Sequence, residues 1–414
     1  SDDQTLEWIS DQNWNKESDP FYSNNQTENE NSTDARIKID YTRPAWNKGK
    51  FETGYQSRFD QEHEDYIFEE YDPVTENWVE NTMYSSEMDF HRNIHSAYAM
   101  LNQKIAGFGL QAGIRAEYTD RGIKDQLSGK DYVIDRIDYF PSLHVSRELL
   151  DGQQVQASYS RRINRPRGRF LEPFISYRDA NNLRKGNPEL KPEYIDSYEA
   201  GWMARKGMNF ISVEAYYRIK HNMITRVFEP YEDNIMIHTA KNLDEDYSLG
   251  SEIMLNYDVT RWLTLNTSGN LFYYRIEGSL DNTDINKKST NWNARMNGTV
   301  KFSPNLRMQA RASYYGPSVT SQGETKGFFM SDLALRYDFL DKKATAVLRV
   351  RDLFGTMKHD FTMEGESFSE NIVFQREPTI VMFTLSYKLN NYKSKKNGRN
   401  FNDDSGEGME LNEY

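Results

Sequence analysis

Tyr159–Glu199 reads YSRRINRPRGRFLEPFISYRDANNLRKGNPELKPEYIDSYE. It opens as an extended run, is broken at Pro166, and resumes as an extended run near Glu193. Proline and glycine fix the interruption, because proline gives up its N–H and glycine permits turns that other residues resist. The stretch is therefore a strand, a long loop and a second strand. It is also strongly basic. Arg161, Arg162, Arg165, Arg167, Arg169, Arg178, Arg184 and Lys185 stand against Glu172 and Asp179.

The same stretch resembles the Y-S-R-R-I-x-R-P … G-N-P-x-L-K-P-E … Y-E-x-G signature of TonB-dependent outer-membrane receptors, in the form found in the outer-membrane β-barrel family of Bacteroidetes. Arg161, Arg162, Arg165, Pro166, Gly186, Asn187, Pro188, Leu190, Lys191, Pro192, Glu193 and Glu199 match in order. Val350-Arg-Asp-Leu-Phe-Gly-Thr356 resembles the V-x-N/D-L-F-x-x segment of the penultimate receptor strand, with Asp352 at the position where Asn is commoner. The resemblance covers 34–392. It implies an antiparallel transmembrane β-barrel of about 22 strands, a plug and an energy-coupling segment upstream of Ser1, and transport energised through the inner-membrane protein TonB.

Composition agrees without requiring this. Mean hydropathy is −0.86 and 37 % of residues are hydrophobic. No run approaches the roughly 20 apolar residues of a membrane helix. A barrel strand shows lipid only every second side chain, so low average hydropathy is no obstacle. The 27 Tyr and 22 Phe suit a membrane–water interface. There is no cysteine, which excludes disulfides and thiolate metal sites. A net charge of −12 argues against nucleic acid as a partner.

Period-2 alternation recurs along the chain. Val381, Phe383, Leu385, Tyr387 and Leu389 share one face, and Met382, Thr384, Ser386 and Lys388 the other. Leu333, Leu335, Tyr337 and Phe339 likewise oppose Asp332, Ala334, Arg336 and Asp338, and Val213–Ile219 shows the same pattern. About 15 strands are expected, at 34–43, 50–59, 89–105, 108–119, 136–149, 153–165, 196–205, 209–226, 247–259, 263–277, 291–303, 306–316, 328–340, 343–354 and 378–390. Short and long connections alternate between them. A soluble sandwich has no reason to sort loop lengths by end, whereas an outer-membrane barrel has short periplasmic turns and long external loops. An odd strand count leaves an edge open, so further strands are expected upstream. The organisation expected is an extracellular loop region at 1–33, a barrel portion at 34–392, and a periplasmic tail at 393–414 that is disordered or bound to a partner.

Outer-membrane lipid is the partner the pattern demands, with a surface lipoprotein or larger envelope complex as a further possibility. Arg167, Arg169, Arg178, Arg184 and Lys185 are candidates for a vestibule that meets an anionic ligand through forked hydrogen bonds. The bland alternative is that the arginines pair with lumen carboxylates. The stretch 59–88 carries ten acids and no Lys or Arg; it could hold divalent cations bridging lipopolysaccharide or be hydrated loop surface. His91 and His95 lie about 13 Å apart on a strand, too far for one ion. Asp281–Asp284 lacks the glycine of a calcium loop. No catalytic constellation, metal motif or cofactor motif is visible. The reading is a receptor-like transporter, not an enzyme, with a structural subunit of an envelope machine as the alternative and a barrel enzyme the least favoured.

Overall fold

A computed structural model describes residues 4–10, 22–46, 49–179, 181–232, 235–280, 283–365, 368–375, 377 and 379–389. Asp281, Asn282 and the tail at 393–414 lie outside the described residues.

The chain is almost entirely strand. In order these are β1 (Gln4–Ser10), β2 (Tyr22–Pro44), β3 (Lys50–Asp72), β4 (Asn77–Glu80), β5 (Ser86–Ile105), β6 (Phe108–Asp125), β7 (Lys130–Glu148), β8 (Gln153–Asn164), β9 (Ile175–Asp179), β10 (Asn182–Lys185), β11 (Glu193–Lys206) and β12 (Asn209–Glu232). Then follow β13 (Ile235–Asp258), β14 (Leu263–Leu280), β15 (Thr283–Lys301), β16 (Leu306–Tyr315), β17 (Ser318–Val319), β18 (Gly323–Thr325), β19 (Phe328–Phe339), β20 (Ala344–Arg351), β21 (Lys358–Glu364), β22 (Ser369–Gln375) and β23 (Ile380–Tyr387). The long ones form one continuous antiparallel meander, each paired with the next long strand in the chain. Strands β17, β18, β21 and β22 make a separate small sheet.

The fifteen expected strands are all present, and β1 joins them by pairing with the outer end of β2, Gln4 opposite Glu28 and Ser10 opposite Tyr22. β1 reaches only that outer end, so the wall keeps the fifteen expected strands. Its edges are open: among the described residues, Asn29–Pro44 of β2 pair only with β3, and β23 pairs only with β20.

Short turns gather at one end, at 45–49, 106–107, 149–152, 207–208, 259–262, 302–305 and 340–343. At the other end, called the mouth here, the expected long loops are largely strand. β2 begins at Tyr22 rather than 34, β3 runs to Asp72 rather than 59, and the β12–β13 hairpin continues to Glu232 and Ile235. The reason is chemical. Near the mouth the outer face no longer meets lipid, so 59–72 (FDQEHEDYIFEEYD) keeps its backbone ladder without an apolar alternation; on the inner face acids stand beside Tyr66 and Phe68, which pack on Phe174 and Tyr177.

Near the turns the two faces are inverted relative to a soluble protein. The apolar set is exposed: Ile37, Ile39 and Tyr41 on β2, Leu271 and Tyr273 on β14, and Val381, Phe383, Leu385 and Tyr387 on β23. Leu335, Leu348 and Phe383 stand side by side across three strands on this outer face. The inner face carries buried polar groups such as Glu117, Asp138, Ser197 and Asp338. Asp338 receives Arg336 at 2.9 Å and the Thr345 hydroxyl at 2.7 Å. Tyr159, Tyr198 and Tyr217 form an outer-face aromatic row, with centroids 5.0 and 6.4 Å apart. Such a row marks the membrane–water boundary on the mouth side. An exposed apolar wall backed by a charged concave face is a barrel wall in lipid.

Leu335→Arg should therefore cost about 2–4 kcal/mol at mid-membrane depth. Gln309→Arg, on the inner face opposite Ala334, should cost little. Refolding into lipid vesicles with a urea titration measures both; equal costs would show that the faces have been assigned wrongly.

Candidate functional site

The segment between β8 and β11 does not project into solvent. It turns inward and fills part of the mouth. Arg165 leaves β8 and donates to the Glu117 carboxylate of β6 at 2.5 Å, on the inner face. A short 3-10 turn follows at Gly168–Phe170, then the β9–β10 hairpin. β10 pairs in parallel with the upper part of β13, Asn182 opposite Met236 and Arg184 opposite His238.

The signature residues hold this fold together. Pro166, Gly186, Pro188, Leu190, Pro192 and Glu193 are buried. Gly186 has no room for a side chain: an added Cβ would stand 2.6 Å from the Arg169 oxygen and 2.6 Å from the Glu172 nitrogen. The Asn187 amide donates to the Phe170 carbonyl at 2.7 Å, and its side chain to Ala240 at 3.1 Å. Arg121, on the inner face of β6, donates to the Pro188 carbonyl at 2.6 Å. The Lys191 amide donates to Asn242 at 2.9 Å, and Asn242 returns a bond to the Lys191 carbonyl at 3.0 Å. Glu193 accepts from Asn164 at 2.6 Å and from the Ile224 amide at 2.7 Å. The apolar contents are Leu171 and Leu190 from the loop against Met88, Ile123 and Ala240 of the walls.

The β12–β13 hairpin closes over this plug of loop. Asn222 adopts a left-handed conformation (φ 54°), tolerable for Asn, at the point where β12 leaves the membrane-spanning wall. One face of the hairpin packs on the loop through Ile224 and Ala240. Its other side buries Val227 and Leu243 with Ile276, Leu280 and Val319. Gln322 ties the loop before β18 to the Phe228 amide at 2.8 Å and carbonyl at 3.0 Å.

The other motif is a turn. Asp352 has φ 47° and is 3 % exposed. Its carboxylate accepts from the Thr356 and Met357 amides, both at 3.0 Å, and its carbonyl accepts from the Thr379 hydroxyl at 2.9 Å. Asn and Asp are the side chains that tolerate this conformation while bonding locally, which accounts for the N/D choice. Leu348 lies on the outer face and Arg349 on the inner one, as the alternation requires.

The basic candidates divide. Arg161 is drawn to Asp196 at 3.6 Å and Arg165 to Glu117. Arg184 is half-buried and lies 3.9 Å from Glu172. Arg162, Arg167, Arg169, Arg178 and Lys185 are exposed. Burial, with Arg178, Arg184 and Arg226 nearby, holds His238 down to about 4; its ring lies 2.8 Å from the Asn182 amide oxygen. The imidazole stays neutral because a further charge in this basic field is unfavourable.

Strand structure sorts the acids of 59–88 into two groupings that a loop would not define. Strand pairing sets His63 opposite Asp89 and Asp65 opposite Glu87 on the outer face. Potential ligand atoms of His63, Asp65 and Glu87 lie within 4.8 Å of one another, and His63 Nδ1 lies 2.7 Å from Asp89. Glu62 and Glu64 share the inner face of β3, with Glu172 nearby in the folded loop. His91 and His95 form no pair; His95 stands 2.8 Å from the Ser57 hydroxyl and 3.1 Å from that of Tyr55.

An apolar outer band, a charged inner wall and an inward-folded mouth define an integral outer-membrane β-barrel. The chain belongs to the outer membrane protein beta-barrel family, whose model matches residues 2–387. Among solved structures it is similar to the copper transporter OprC (15 % identity, TM-score 0.66, covering 88 % of this chain and 57 % of that one). It is similar also to the ferric citrate transporter FecA (12 %, 0.63, 88 % and 56 %). A third is the siderophore receptor PiuA from Acinetobacter baumannii (10 %, 0.62, 88 % and 57 %). The chain thus spans less than three-fifths of the length of each of these proteins. A search of curated protein sequences finds no match.

Gly186→Ala should release the loop without dissolving the wall. The forced clash costs about 1–3 kcal/mol. Limited proteolysis should then cut between Arg167 and Lys185, while the heat-resistant gel mobility of the barrel persists. An uncut loop in the variant would show that Gly186 is not a packing constraint.

Proposed function

We propose that this chain is the wall and ligand vestibule of a TonB-dependent transporter that takes a substrate across the outer membrane. The observation that carries the reading is the inward-folded segment 165–193. It narrows the mouth, is braced by buried signature residues, and offers Arg167, Arg169, Arg178 and Lys185 at its exposed surface with Arg184 half-buried behind them. A structural wall has no need to fold a basic hairpin into its own opening. The similarity in fold to metal and siderophore transporters supports the same reading. The short turns are then periplasmic and the mouth external. Energy coupling comes from TonB acting on a part of the receptor beyond this wall. The two open edges, on β2 and β23, fit further strands that complete the barrel, since an unpaired edge in hydrocarbon leaves polar backbone groups unsatisfied.

In this mechanism the chain performs no covalent chemistry. The basic hairpin attracts an anionic group by long-range field and then holds it by charge-assisted hydrogen bonds. Replacing Arg167, Arg169 and Arg178 together by Gln should lower uptake of an anionic ligand about 10-fold or more and flatten its dependence on salt. Barrel heat resistance should stay unchanged, because all three are exposed. Normal uptake with a destabilised barrel would assign these arginines to bracing instead. Stable co-purification with envelope proteins and no energised uptake would favour a structural subunit.

A further inference from the structure

We propose that His63, Asp65 and Glu87, on the outer face near the mouth, bind a divalent transition-metal ion of the zinc type. β3 contributes the first two residues and β5 the third. The two strands pair directly, with Asp65 opposite Glu87 and His63 opposite Asp89. Potential ligand atoms of the three residues lie within 4.8 Å of one another. The set belongs wholly to two adjacent strands of this chain, and it faces away from the lumen.

The orientation of His63 carries the inference. Its Nδ1 lies 2.7 Å from one oxygen of Asp89, and the other Asp89 oxygen accepts from the Gln126 side-chain amide. Asp89 stands outside the ligand set and braces the ring. A carboxylate at one imidazole nitrogen places the proton there and leaves the lone pair on the other. That other nitrogen, Nε2, lies 3.5 Å from Asp65. This is too long for a good hydrogen bond. It is the spacing of two ligands on one ion: nitrogen and oxygen atoms about 2.0–2.2 Å from a tetrahedral zinc stand about 3.3–3.6 Å apart. Metal-bound histidines are ordinarily braced by a carboxylate in this way, and the carboxylate is in turn hydrogen-bonded, as Gln126 does here.

The donor types select the class of ion. Magnesium and calcium take six or more oxygen ligands. One imidazole with two carboxylates suits zinc and its transition-metal neighbours. Three protein ligands leave a fourth position open, and the half-exposed His63 and Asp65 put it in contact with solvent. A bound ion would clamp β3 to β5 in the upper part of the wall, where the apolar outer band has ended.

The proposal goes beyond the transport reading and stands apart from the basic hairpin. Zinc ion alone is the probe, titrated by calorimetry into tag-free, EDTA-treated full-length protein in detergent. One saturable site is expected, weakened at least about 10-fold by His63→Gln. Asp89→Ala removes no ligand and should weaken it about 10-fold as well. Asp89→Asn, whose amide oxygen can still accept from Nδ1, should restore part of that loss. His91→Gln, on the same face of β5 and 3.7 Å from the single carboxylate of Asp120, should leave binding unchanged. About a hundredfold excess of magnesium should not displace the zinc. If His63→Gln fails to fold, Glu87→Gln serves, with the same loss expected. Absence of saturable binding, unchanged affinity in His63→Gln or in Asp89→Ala, or displacement by magnesium would overturn the proposal and leave a hydrated ion pair between His63 and Asp89. None of those results bears on uptake through the arginines, so the two readings fail separately.

Discussion

Inside a bilayer no water is available to satisfy a backbone N–H or C=O, and every feature of the lower wall follows from that. Each strand must find a hydrogen-bonded neighbour on both sides. The pairing of β11 with β12 runs without interruption from Tyr194–His221 to Lys206–Asn209, and its other edge is matched residue for residue by β8. Once the ladders are continuous, side chains alternate strictly between lipid and lumen. The lipid side must be apolar, and the lumen side then collects the charges the sequence carries. Those charges are paired along the wall itself: Arg336 with Asp338, Arg218 with Glu199, Arg92 with Asp60.

Above the aromatic row the constraint relaxes, and the architecture changes character. Strands persist but lose their apolar face, and connections fold over one another. The signature segment is best understood as a packing device at this transition. Gly186 admits two backbones, Asn187 and Asn242 exchange hydrogen bonds with the main chain, and Glu193 fastens the start of β11 to the Ile224 amide of β12. The motif therefore places function without contacting it. Its buried members build the platform, and the exposed arginines between them meet solvent.

This division explains how much could be read from the sequence. Alternation such as Val381–Phe383–Leu385–Tyr387 reports burial in lipid, so the membrane portions of all fifteen expected strands were legible, as was the sorting of turns. The upper strands were not, because 22–33 is polar on both faces and 59–72 mixes acids with Phe59, Tyr66, Ile67 and Phe68, so neither keeps an apolar alternation. β1, only seven residues long, lay outside the expected set. The inward path of 165–193 depends on long-range partners, Arg121 and Asn242 among them, whose role no local pattern reveals. The arginine cluster was visible as composition, but not which members were paired. Glu64 is one acid among ten in 59–88; only the register of β3 against β2 and β5 shows it turned inward and buried.

The central claim is that exposed apolar residues face lipid and the buried polar ones line the lumen. Spin labels placed singly along β20 from Thr345 to Val350, in protein reconstituted into vesicles, test it directly. Power-saturation measurements with oxygen and with a water-soluble nickel chelate should alternate. Positions 346, 348 and 350 should favour oxygen, which partitions into lipid, and 345, 347 and 349 the chelate. Absence of a two-residue period, or the opposite phase, would contradict the account.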